Sequence, residues 1–294
     1  MSISRLSAGA GYRYLTRHTA AGDARPGPDQ SLTAYYTATG LPPGRWTGAG
    51  LSGLGAGHGS DLRPGTVVTE EAMGRLFGVG HDPVTGERLG LAYPRFKTTT
   101  ERITERVARL PADLPEEERA AAVAAIKTQE QAKPARSAVA GYDLTFTAPK
   151  SVSVLWALAD PELAHVVEQA HHDAVDAVLQ LVEDRFLHTR TGAGSKIRVP
   201  AQGAIAAAFD HWDTRAGDPN LHTHLVIANK VQGPDGKWRA VDGQVLFAAA
   251  VACSEIYDST LADLLHTRLG VTFAYRDRGP REPRGSKSRT SRMR

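Results

Sequence analysis

Three histidines close together in the chain, His211, His222 and His224, are the side chains best suited to chemistry. His222 and His224 are two residues apart. On a strand that spacing turns both imidazoles to one face, about 7 Å apart along the chain. Leu221, Thr223, Leu225 and Ile227 then occupy the other face and suit a core. His211 lies eleven residues before His222, at the end of a preceding strand-like stretch. A hairpin through residues 217–220 would bring it back beside the pair. Three neutral imidazoles converging on one point make a metal site with positions left open for solvent or substrate. This donor set leaves zinc, manganese, magnesium and nickel all open. It also leaves open whether the cation activates hydroxide or polarises a phosphate.

The elements that must position these rings can be read from pattern. Residues 203–211 and 221–231 read as two strands joined by Ala216-Gly217-Asp218-Pro219-Asn220, with 237–241 returning as a third. At 141–147, Tyr142, Leu144 and Phe146 alternate with Asp143, Thr145 and Thr147, the period of a half-buried strand. Asp160-Pro161 opens a long helix, Asp as N-cap and Pro in the first turn. Helical patterning also covers 68–78, 101–133 with breaks at Pro111 and Pro115, and about 248–268. Residues 40–59 are Gly-rich and irregular, ordered around Trp46, and 31–39 form a short element around Tyr35-Tyr36. The fold class is α/β (α+β), a central mainly antiparallel sheet flanked by helices.

Composition limits the alternatives. The 294 residues are 41% hydrophobic and 23% charged, enough apolar material for a sizeable core. The single cysteine, Cys253, excludes an internal disulfide and a four-cysteine zinc site. The apolar run over residues 246–253 is too short to cross a bilayer, and the first residues lack a secretory signal. A cytoplasmic protein without membrane insertion is expected. The net charge of +3 is uneven: residues 276–294 carry eight bases and two acids, leaving the body acidic on balance. The basic character therefore belongs to an Arg/Ser tail expected to lack fixed structure, and DNA binding has to be argued from the site.

The run Gly141-Tyr-Asp-Leu-Thr-Phe-Thr-Ala-Pro-Lys-Ser-Val-Ser, followed by His211 and by Asp218-Pro-Asn-Leu-His-Thr-His, resembles the conjugative relaxases of the TrwC/TraI type. These are the MobF group of HUH endonucleases. Tyr35-Tyr36 and then Pro43-Gly-Arg-Trp-Thr-Gly follow the same order near the N-terminus. The resemblance runs over residues 1–275, the expected relaxase domain, with 276–294 as the tail. It implies the palm-like relaxase fold and a single-stranded DNA nickase and strand transferase. A tyrosine would attack a phosphodiester at an origin of transfer, giving a 5′-phosphotyrosyl enzyme and a free 3′-hydroxyl. It further implies His211, His222 and His224 as ligands of a divalent ion, Mg²⁺ or Mn²⁺ ahead of Zn²⁺ or Ni²⁺. Asp143 is then the acid that orients a ligand histidine or helps activate the tyrosine. The implied partners are origin DNA and other relaxosome and coupling proteins. Family members continue into a helicase region, yet no Gly-x-x-x-x-Gly-Lys-[Ser/Thr] loop occurs here, so a truncated or stand-alone form is expected.

The nucleophile is not settled by the motif. The family carries two adjacent tyrosine pairs, whereas the first pair here reads Tyr12-Arg13-Tyr14, with Arg13 at the position of the attacking tyrosine. Tyr14 and Tyr35 rank first, then Tyr12 and Tyr36. For DNA, Lys150 and Ser151 stand where a strand gives way to a helix N-terminus, a natural place for a phosphate. Trp212 beside His211 offers a stacking face, and Arg215 a charge in the hairpin turn. Two other functions fit the same residues. One is a metal-dependent nuclease or phosphodiesterase using bound hydroxide; the other is an origin-binding module without catalysis.

Overall fold

The alternation at Tyr142, Leu144 and Phe146 buries all three side chains, and the strand they define, β3, lies inside the main sheet. The computed structural model describes residues 1–17, 43–55, 62–213, 218–275 and 291–293. The main sheet contains β1 (Ser2–Ser7), β2 (Arg45–Thr47), β3 (Val139–Thr147), β6 (Ala206–Asp213) and β7 (Pro219–Ala228), in the order β1-β3-β7-β6-β2. The pairings β3–β7, β7–β6 and β6–β2 are all antiparallel. Two short strands, β4 (His188–Thr191) and β5 (Ile197–Pro200), pair as a separate hairpin.

The last three helices in the chain cover one face of the sheet. After α1 (Tyr14–Arg17) and α2 (Glu70–Met73) the chain forms α3 (Thr99–Ala108), α4 (Glu116–Gln131), α5 (Lys150–Leu158), α6 (Pro161–Leu181) and α7 (Gly243–Leu269). Asp160 caps α6 by accepting from the Leu163 N–H at 2.8 Å, with Pro161 in the first turn, as its sequence requires. Phe146 of β3 meets Tyr257 of α7 at 5.1 Å between ring centroids, and Tyr142 meets Phe247 at 6.1 Å. The α7 helix is long and apolar enough to cross a membrane. Here Leu246, Ala249, Cys253, Tyr257, Leu261 and Leu265 form a buried stripe at helical spacing, as in a core helix.

The opposite face carries the N-terminal segment and a helical stretch in which α2 continues as a π-helix through Gly74–Val79. Leu6, Tyr12, Leu15, Met73, Leu76 and Phe77 are buried. Gly141 of β3 lets the Phe77 ring close in, since a Cβ there would stand 3.0 Å from it. Within the Gly-rich stretch, the described residues 43–55 surround a fully buried Trp46, as expected. Gly48 has φ of 96° and passes so close to the Ala204 carbonyl that a Cβ would lie 2.2 Å from it. Glu183 ties this segment down by accepting from the N–H groups of Ala49 and Ala204, each at 2.8 Å.

Tyr93–Val139 forms a compact unit of its own, separate from residues 1–92 and 140–294. The prolines divide its helical stretch as expected, into α3 and α4. A Thr98–Glu101 capping box starts α3, and the buried Glu130 carboxylate accepts from Arg102, Arg106 and Lys133.

The strands read at 203–211 and 221–231 span Ala206–Asp213 and Pro219–Ala228, and three further boundaries also differ from the sequence reading. The return strand expected at 237–241 is only β9 (Trp238–Arg239). It pairs with β8 (Val231–Gln232) outside the main sheet, where β2 already occupies the β6 edge. Helix α7 starts at Gly243, five residues early, because Asp242 accepts from the Gln244 N–H as an N-cap. Within 276–294 only Ser291–Met293 are described; as β11 they pair antiparallel with β10 (Phe273–Tyr275).

Candidate metal and tyrosine site

Register places the three histidines together. His211 of β6 is directly opposite His222 of β7, and His224 stands between Phe209 of β6 and Thr145 of β3. Period-2 alternation then turns all three rings to the face opposite α6 and α7. Between His211 and Asp213 the register slips by one residue, so Trp212 alone opposes Asn220 and Leu221. Such a bulge twists a strand locally and re-aims its side chains.

The ring centroids lie 4.9–5.3 Å apart, and the three rings each offer a nitrogen within 4.8 Å of the others. His222 Nδ1 is 2.7 Å from the Asn220 carbonyl, and His224 Nδ1 lies 2.9 Å from Asp143 Oδ2. Both Nδ1 atoms thus act as donors, which makes Nε2 of each ring the nitrogen able to coordinate a cation. His211 Nε2 is buried and has no hydrogen-bond partner, while its ring bonds the Leu15 backbone. Burial, then the charges of His224 and His222, push His211 down to about 3, so it is a neutral imidazole at ordinary pH. An orphaned buried nitrogen beside two oriented imidazoles fits a divalent cation.

Asp143 joins this cluster to a phenol. Its side chain lies on the same face of β3 as the site, where Asp143 opposes Val226. The Tyr14 hydroxyl donates to Oδ2, the same carboxylate that holds His224. The Tyr14 and His224 rings meet edge to face at 6.0 Å. Thr145 adds its hydroxyl, 3.3 Å from His224 Nδ1 and 3.4 Å from Asp143 Oδ1. Burial, followed by the Asp143 charge and hydrogen bond, raises the Tyr14 phenol well above its ordinary value. In this environment the phenol stays protonated until a cation or a base changes the balance.

The other expected site residues fall elsewhere. Tyr12 is buried in the core and donates to Glu70 at 3.0 Å. Arg13 is exposed. Tyr35, Tyr36 and Arg215 lie outside the described residues. Lys150 begins α5 as expected, but its ammonium donates to the Pro219 carbonyl at 2.8 Å, tying α5 to the start of β7 three residues before His222. Ser151 is half-buried beside it. Trp212 points away from the histidines and packs against Trp156 of α5 at 5.7 Å, on the helical face.

The sequence reading missed a polar layer behind the triad. Thr223 sits between His222 and His224 but faces α6, and its hydroxyl donates to Asp210. Asp210 also binds Arg45 and lies 3.1 Å from His172 Nε2. Burial would raise the Asp210 carboxyl, but His172, Arg45 and Thr223 together hold it well below its ordinary range. His171 Nε2 is 2.8 Å from the Thr223 hydroxyl, and His171 Nδ1 is 2.7 Å from the Tyr257 hydroxyl. The only signal for this layer was a pair of histidines on a helix whose apolar stripe had already been assigned.

Fold and site together define a mixed α/β protein in which a cluster of three histidines able to hold a cation is hydrogen-bonded, through one carboxylate, to a tyrosine. The chain belongs to the TrwC relaxase family, which matches residues 8–291. It is 35% identical over 131 residues to the multifunctional conjugation protein TraI of Escherichia coli, covering 41% of this chain and 7% of that protein. Against TraI of strain K12 it is 38% identical over 102 residues, covering 34% and 6%. The chain thus spans a small fraction of the length of these curated relatives. Among solved structures, metal-bound conjugative relaxase TrwC in complex with oriT DNA aligns with a TM-score of 0.58 at 22% identity, covering 93% of this chain and 72% of that one. TrwC complexed with a 27-mer DNA comprising the recognition hairpin and the cleavage site gives 0.57 at 22% identity, covering 95% and 73%. The structural likeness establishes the fold.

Proposed function

We propose that this chain nicks and rejoins single-stranded DNA at an origin of conjugative transfer, with Tyr14 as the nucleophile. The observation that carries this reading is the Tyr14 hydroxyl donating to Asp143, which at the same time accepts from the ligand histidine His224. The Tyr14 proton passes to Asp143 Oδ2, the phenolate oxygen bonds to phosphorus, and the P–O3′ bond breaks. The departing 3′-oxygen takes a proton from solvent, leaving a 5′-phosphotyrosyl enzyme and a free 3′-hydroxyl. Reversal of these steps rejoins strands.

His211, His222 and His224 would hold the divalent ion, which supplies positive charge to the scissile phosphate and favours the phenolate. Three nitrogen donors suit Mn²⁺, Ni²⁺ or Zn²⁺ better than Mg²⁺, whose preferred ligands are oxygens. The N-terminal end of α5, with Lys150 and Ser151, is the proposed contact for the DNA backbone. Its position next to the start of β7 supports that role. Other relaxosome and coupling proteins are the proposed partners.

The test is incubation with labelled single-stranded oligonucleotides from the cognate origin and Mn²⁺, resolved on denaturing gels. A DNA-linked protein band mapping to Tyr14 by mass spectrometry is the expected result. An adduct on Tyr35 or Tyr36 would move the nucleophile outside the described residues. Cleavage without any adduct would favour hydroxide attack, and tight binding without cleavage would favour an origin-binding module.

A further inference from the structure

The polar layer behind the triad has one internal logic. Thr223 is 0% exposed, His171 0%, Tyr257 0% and Asp210 4%, so each hydrogen bond must be satisfied within the layer. The Thr223 hydroxyl has one proton, and Asp210 takes it. Thr223 can then only accept from His171, which makes Nε2 of His171 the protonated nitrogen. His171 Nδ1 is therefore the acceptor for the Tyr257 hydroxyl. Donation runs in a single direction, from Tyr257 on α7 through His171 on α6 and Thr223 on β7 to Asp210 on β6. Arg45 of β2 closes the far end on Asp210.

Each strand residue in this chain is adjacent to a ligand. Thr223 lies between His222 and His224, and Asp210 immediately precedes His211. The two are also cross-strand partners in the register. A rotation or slip of either strand that displaced an imidazole on one face would break a buried hydrogen bond on the other.

We infer that Tyr257, His171, Thr223 and Asp210 are positioning residues that hold the three imidazoles in metal-binding register from the far side of the sheet. The inference rests on the triad being a metal site, as proposed above. None of the four touches the cation or the DNA; they act through the strands that carry the ligands.

The experiment measures Mn²⁺ affinity of the whole protein by isothermal titration, with the electron paramagnetic resonance spectrum of the bound ion and the thermal midpoint in EDTA. Thr223→Val keeps the side-chain shape and removes the hydroxyl; it is expected to weaken Mn²⁺ binding about 10-fold and alter the spectrum, in the range seen when partners of metal ligands are removed. Thr223→Ser restores affinity to within about 2-fold, since it keeps the hydroxyl. Tyr257→Phe removes only the outermost donor and is expected to weaken binding about 2- to 3-fold, which keeps the test open should Thr223→Val fail to fold. If both folded variants bind Mn²⁺ as the wild type does, with only the midpoint lowered, the layer is structural and the inference is overturned. Wild-type protein that binds no Mn²⁺ overturns the metal reading itself, a different outcome read in a different sample.

Discussion

Tyr14 and His224 are hydrogen-bonded to the same carboxylate: the phenol donates to Asp143 and the imidazole Nδ1 lies 2.9 Å from it. In the proposed reaction a proton leaving Tyr14 would arrive on the carboxylate that also holds His224. That one side chain would then couple activation of the nucleophile to cation binding.

The first consequence separates two tyrosines that are two residues apart. Tyr14→Phe should abolish the protein–DNA adduct while single-strand affinity stays within about 2-fold. Tyr12→Phe should leave the adduct intact and cost about 1 kcal/mol of stability, the worth of its bond to Glu70. Denaturing gels and urea melts of both variants read these effects. An active Tyr14→Phe enzyme would remove Tyr14 from the reaction.

Asp143→Asn keeps the shape of the side chain but loses its charge. Mn²⁺ affinity should fall about 10- to 100-fold, because the partner of His224 Nδ1 is weakened. Nicking should remain low at saturating Mn²⁺, because no base faces the Tyr14 hydroxyl. Full recovery of nicking with added metal would confine Asp143 to ligand orientation.

Acid should destabilise the fold through His171. Burial pushes this imidazole down to about 3 from its ordinary 6.5. The unfolded chain therefore binds a proton that the folded protein excludes between those values. The stability from this group is present above about pH 6.5 and is lost as pH falls towards 3, with a slope of at most about 1.4 kcal/mol per unit. Urea titrations at pH 7, 6 and 5 should show the decline, and His171→Gln should make it shallower, with the remainder due to His211, also pushed down to about 3. Equal slopes in both proteins would contradict a buried neutral His171.

Lys150→Ala tests the proposed DNA-backbone interaction. Removing one ammonium–phosphate pair should lower the salt dependence of oligonucleotide binding by about one counterion, in fluorescence anisotropy across a salt series. An unchanged slope would leave Lys150 as the tie between α5 and Pro219 that the structure describes.

Much of this site was legible from the residues. The two-residue spacing of His222 and His224, with Leu221, Thr223, Leu225 and Ile227 filling the opposite face, follows from the strand period alone. The alternation of Tyr142, Leu144 and Phe146 likewise put Asp143 on the site face, and Asp160-Pro161 marked the start of α6. These features are local, so nearest-neighbour chemistry determines them. The choice between Tyr12 and Tyr14 was not local. Tyr12 lies in a 3-10 turn that runs into α1 at Tyr14, where each residue rotates by about 100–120°, so the two phenols face different ways. Only the docking of that turn decides which phenol meets the sheet, and its partner, Asp143, is 129 residues distant. The layer from Tyr257 to Asp210 is of the same kind: α6, α7 and two strands must pack before its donors and acceptors meet. Long-range register, which the strand period cannot specify, decided both.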